Sequence, residues 1–138
     1  MQALKKELGL LVPTMRIFLD VENLTSVADL EALIDNSEVI LLFLSAGYFS
    51  RWNCLREVRQ TLMAKKETIL LREVAQMHGG GDMSQIADEF DSTKNQRLYT
   101  SFDAAHKVNG AVVTGAADIK EAIMKTVESE HGVILWHR

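Results

Sequence analysis

A chain of 138 residues with 47% hydrophobic residues is long enough for one domain with a packed core and too apolar for global disorder. Its net charge is −4, with Lys and Arg scattered along the chain, so no nucleic-acid groove is expected. The single cysteine, Cys54, excludes an internal disulfide and fits a reducing, cytoplasmic setting.

Met1 to Gly9 carries Lys5, Lys6 and Glu7 and no long apolar stretch, so no cleavable leader is expected there. The longest apolar run, Val39–Leu44, is too short to span a bilayer. Gln2–Leu11 reads as a helix with Leu4, Leu8 and Leu11 at helical spacing, stopped by Pro13. Met15–Leu19 reads as a strand. Thr25 and Ser26 are N-cap candidates, and Ser26 with Asp29 matches a capping box. Val27, Leu30, Leu33 and Ile34 then form the apolar face of a short helix. Val39–Leu44 is apolar at every position, which suits a strand buried on both faces in the middle of a parallel sheet. Asn53 is the expected cap of the next helix, whose buried side is Cys54, Leu55, Val58 and Leu62. Thr68–Leu71 reads as a further strand.

This alternation implies a parallel, doubly wound sheet with its site at the carboxyl ends of the strands. Past Arg72 the pattern loosens. Ala75–Asp82, with three consecutive glycines, reads as a mobile loop. Met83–Phe90 and Ile119–Val127 read as helices, Asn95–Gly115 is ambiguous, and Val133–Trp136 reads as a final strand.

Glu57 falls on the edge of its helix's apolar face, roughly 100–110° from the centre of that arc at about 100° per residue. It can overhang a cleft, and the helix N-terminus favours its ionised form. An ionised carboxylate there could bond a ribose hydroxyl or stabilise an oxocarbenium-like transition state. On spacing alone, a solvated surface glutamate pairing with Arg56 or Arg59 is the simpler reading. Asp20-Val21-Glu22-Asn23 follows a strand at its site end and could bind a cation or a basic surface. An ordinary acidic turn is the simpler reading there.

His78-Gly79-Gly80-Gly81 superficially matches an esterase oxyanion loop, but no G-x-S-x-G elbow accompanies it. The four histidines show no i,i+4 pairing, and with one cysteine no metal site can be argued. Cys54 lies on the buried face, which favours a packed thiol over a nucleophile. Trp52 and Trp136 could stack on a base, though each is more often a packing residue.

Three segments together resemble the TIR (Toll/interleukin-1 receptor homology) domain. Phe18-Leu19-Asp20-Val21-Glu22-Asn23-Leu24 looks like the second strand and following BB loop of that family. Val39–Ser45 with Gly47-Tyr48-Phe49-Ser50 looks like its third strand and exit, and Trp52-Asn53-Cys54-Leu55-Arg56-Glu57-Val58 is similar to its W-C-L-x-E-L motif. The wording is nearest to NAD-cleaving members and to TIR-like domains of protists and algae.

The resemblance implies an α/β, flavodoxin-like sheet with flanking helices, in one domain over residues 1–138. The best-matched core is 14–72, followed by an irregular segment 73–130 and a final strand 133–136. Relative to the family, the first, central strand and the last helix are expected to be missing. The implied function is signal transduction through TIR–TIR self-association or adaptor binding, with Asp20, Val21, Glu22, Asn23 and Leu24 as the interaction loop. The alternative is an NAD+ nucleosidase with Glu57 as catalytic residue and Phe18, Asp20, Trp52 and Cys54 against the substrate. NAD+ would then be a substrate, and no cofactor or metal is implied. A phosphate-accepting receiver domain fits less well, because no acidic pair precedes Asp20 at the required place.

Overall fold

The computed structural model describes residues 2–14, 16, 26–129 and 132–136. Helix α1 spans Gln2–Leu11 and buries Leu4, while Leu10, Leu11 and Val12 at its end stand in solvent. The expected strand Met15–Leu19, apart from Arg16, lies outside the described residues. Helix α2 spans Val27–Asp35 with Ser26 as its N-cap. The Ser26 N–H donates to the Asp29 carboxylate at 2.7 Å, as the sequence pattern leads one to expect.

Strand β1 is Val39–Leu44, followed by a 3-10 turn at Tyr48–Ser50, helix α3 at Trp52–Met63 and strand β2 at Glu67–Glu73. A second 3-10 turn at Gln76–His78 leads to helices α4, Met83–Asp88, and α5, Thr93–Ala105. A short hairpin pairs β3, Lys107–Val108, with β4, Ala111–Val112. Helix α6, Ala116–Val127, and strand β5, Val133–Trp136, complete the order.

The three longer strands form one parallel sheet in the order β1-β2-β5, with Leu42 opposite Leu70 and Leu70 opposite Val133. Side chains alternate across a strand, so Ile40, Leu42, Leu44 and Leu70 point to one face. They share a core with Ile34, Leu55, Val58, Ile86, Phe102, Ile119 and Ile123 of the surrounding helices. The result is an α/β fold of flavodoxin-like class, a parallel sheet flanked by helices.

Four sequence expectations need correction. First, β1, which pairs in parallel with β2, is not buried on both faces. Val39 is 42% exposed and Leu41 and Phe43 are only half-buried, because the shared core lies on the even-numbered face.

Second, Asn53 does not cap α3. The cap is Arg51 in extended backbone, with no side-chain bond; its carbonyl accepts from the Leu55 N–H at 3.1 Å. The helix starts two residues early, with the Trp52 ring already packed on Phe102. Leu55 and Val58 of the expected buried side are buried, but Cys54 and Leu62 are only half-buried, and Thr61 takes a buried place.

Third, Ala75–Asp82 is folded back on the sheet. The Gly80 N–H donates to the Ala75 carbonyl at 3.0 Å, and the Gly79 carbonyl accepts from Ala46 at 2.9 Å. The Arg72 guanidinium donates to the Gly81 carbonyl at 2.8 Å. A β-carbon at Gly80 would fall 2.7 Å from the Val74 carbonyl carbon and 2.8 Å from the Glu73 and Ala75 oxygens, so this glycine permits close backbone approach.

Fourth, the segment read as irregular contains the 13-residue helix α5.

Candidate functional site

The chain leaves β1 through Ser45 and Ala46, then turns sharply at Gly47, whose φ of +80° is left-handed and suits a residue without a β-carbon. The 3-10 turn that follows delivers Tyr48 and Phe49 into the core, 7% and 0% exposed. Their rings meet edge to face, with centroids 5.0 Å apart. At the outer end of its ring, the Tyr48 hydroxyl donates to Glu57 Oε2 at 2.7 Å. Glu57 is half-buried on α3. Two consecutive elements beyond the carboxyl end of β1 therefore supply a carboxylate and a donor that orients it.

The turn itself is clamped by Glu89, just past α4, and by Asn95 and Tyr99 of α5. The Glu89 carboxylate accepts from the Gly47 N–H at 2.6 Å and from the Phe49 N–H at 2.8 Å. Asn95 Nδ2 donates to Ser50 Oγ and to the Glu89 carbonyl, both at 2.9 Å. The Tyr99 hydroxyl lies 3.0 Å from the Phe49 carbonyl and 2.9 Å from that of Glu89. Burial pushes the Glu89 carboxyl above its ordinary range, opposed by its two backbone N–H bonds and the Arg51 charge. Burial, and then the Glu89 charge, pushes the Tyr99 phenol up to about 12. Beside this clamp lies an open depression of about 320 Å³ whose lining includes Gly47, Ser50, Glu89, Lys94 and Asn95; Glu57 does not line it.

At the carboxyl end of β2, Glu73 is fully buried and its Oε1 accepts from the Ala75 N–H at 3.0 Å. Next to it, Arg72 Nε is buried without a hydrogen-bond partner among the described residues.

The residues singled out from sequence fare differently. Glu57 sits against Tyr48, while the two arginines expected to pair with it have other bonds. Arg56 reaches Glu31 at 2.8 Å, and Arg59 Nε donates to the Val113 carbonyl at 3.2 Å. Trp52 packs edge to face on Phe102, with centroids 5.2 Å apart, as a packing residue would. Cys54 is half-buried against the core. Phe18, Asp20, Val21, Glu22, Asn23 and Leu24 lie outside the described residues.

Tyr48 and Glu89 were not singled out as functional from sequence. Tyr48 stands nine residues before its partner, across a 3-10 turn, a spacing that neither helix nor strand periodicity connects. Among the described residues, no group of three or more His, Cys, Asp or Glu side chains is placed to hold a metal ion. Among them, too, no helix is long and apolar enough to cross a membrane.

The fold and these contacts define an α/β domain of flavodoxin-like class with a held carboxylate beyond one strand end. Comparison of the chain with family models, with curated proteins and with solved structures finds no match.

Proposed function

We propose that this chain is a TIR-type signalling module that acts in the cytoplasm by associating with other TIR domains. The resemblance over Arg16–Arg72 and the α/β architecture support the reading. The observation that carries it is Leu10-Leu11-Val12, three consecutive apolar residues 73%, 78% and 41% exposed. A run of that kind serves a soluble fold poorly unless a partner covers it. The acidic stretch Asp20–Leu24 would supply the charged rim, where complementarity governs encounter and salt dependence. Reversing Asp20 and Glu22 to Lys should weaken association in a salt-sensitive way, measured by sedimentation at two ionic strengths. Association unchanged by the reversal at both would remove the loop from the contact.

A second reading is favoured by the bond between Tyr48 and Glu57: an NAD+ nucleosidase with Glu57 as catalytic residue. In that reaction the bond between ribose C1′ and the nicotinamide nitrogen breaks, and its electron pair leaves with nicotinamide, which becomes neutral. The ribosyl centre takes up positive charge, which the Glu57 carboxylate stabilises. Water then adds at C1′, loses a proton and gives ADP-ribose. The leaving group departs from a cationic ring, so no strong general acid is needed. Glu57→Ala should reduce nicotinamide release by at least ~10²-fold. Equal rates would exclude Glu57 from the chemistry.

A further inference from the structure

Resting on the nucleosidase reading, we infer that Tyr48 is a positioning residue for Glu57, holding the carboxylate ready for the ribosyl centre. Packing alone does not account for this side chain. Its ring is 7% exposed and lies against Phe49, a place that phenylalanine would fill as well. The hydroxyl adds a desolvation cost that is offset only by a good partner, and its partner is Glu57 Oε2 at 2.7 Å.

A hydroxyl donating to one carboxylate oxygen favours the ionised form and fixes the plane of the group. Both properties serve a carboxylate that must meet positive charge developing at one point. Tyr48 is itself fixed. The turn that carries it is tied down at Gly47 and Phe49 by Glu89 and at Ser50 by Asn95. The hydroxyl therefore comes from a rigid support and does not follow Glu57 if that side chain swings away.

Because Tyr48 acts through Glu57, its removal should lower kcat and spare KM, and the effect should vanish where Glu57 is already lost. The test is nicotinamide release from NAD+ by wild type, Tyr48→Phe, Glu57→Gln and the double variant. Tyr48→Phe should lose about tenfold in kcat, the worth of one hydrogen bond to a charged group, with KM unchanged. In the Glu57→Gln background the same substitution should change nothing further. A Tyr48→Phe enzyme with wild-type kcat would overturn the proposal and leave the nucleosidase reading intact. So would an equal fractional loss in both backgrounds, because Tyr48 would then act independently of Glu57. No nicotinamide release from wild type would remove the nucleosidase reading and this inference together.

Discussion

Glu89 shows how one side chain can hold a turn and still carry a cost. Its carboxylate ties down two backbone N–H groups of the Gly47–Ser50 segment, yet burial raises its proton affinity above the ordinary value of 4.5. In the pH window just above that value the native state binds more protons at Glu89 than the unfolded state. Its contribution is therefore fully present below 4.5 and falls as pH rises through the raised value. Urea titration of wild type and Glu89→Gln at about pH 4 and about pH 7 should show a gap that favours wild type more at the lower pH. A gap that widens toward neutral pH would contradict this. The sequence offered no pointer to Glu89, since a glutamate at a helix end is ordinary and its partners lie forty and more positions earlier. Glu57 was singled out by the Trp52–Val58 motif, whereas its contact with Tyr48 depends on a turn geometry that no periodicity encodes.

Helix α3 and its flanks bring out the same contrast at the level of elements. Its apolar face was readable from 3.6-residue spacing, and Leu55 and Val58 are indeed buried. Its start was not, because Arg51 caps it through backbone geometry alone. Its end uses a Schellman arrangement. Lys65 donates to the Leu62 carbonyl and Lys66 to that of Thr61, both at 3.1 Å, with Lys65 left-handed at φ +53°. A lysine there bears a β-carbon penalty of about 1–2 kcal/mol, and glycine avoids it at an entropic cost of about 0.5–1 kcal/mol. Lys65→Gly should therefore raise stability by about 0.5–1 kcal/mol in denaturant unfolding; a loss of stability would show that the strain is relieved elsewhere. Helix α5 escaped the sequence reading because Leu98, Tyr99 and Phe102 are its few apolar anchors among polar residues. Its place is fixed by Tyr99 and Phe102 entering the core, a tertiary effect. Strand β1 was recognised by its uninterrupted apolar run, but the run overstated its burial, since its odd-numbered positions are exposed or half-buried.

At the level of the molecule, the parallel sheet and its helical layer follow from the order of strand and helix signals, and in the strand order β1-β2-β5 each strand lies beside one that is near it in the sequence of strands. Surface chemistry is less legible, because an apolar residue at a helix end reads the same whether it is covered or bare. Leu11 was read with Leu4 and Leu8 as the apolar face of α1, and only the exposure of Leu10 and Leu11 marks them as a contact candidate. The account rests most heavily on association through that end of α1. Sedimentation velocity of the full chain over a range of concentrations, with Leu10→Glu/Leu11→Glu alongside, tests it directly. Both positions are exposed, so the variant should keep its fold by circular dichroism. The wild type should shift to faster-sedimenting species as concentration rises, and the variant should remain a monomer. A wild type that stays monomeric throughout, or a variant that associates equally well, would contradict the account.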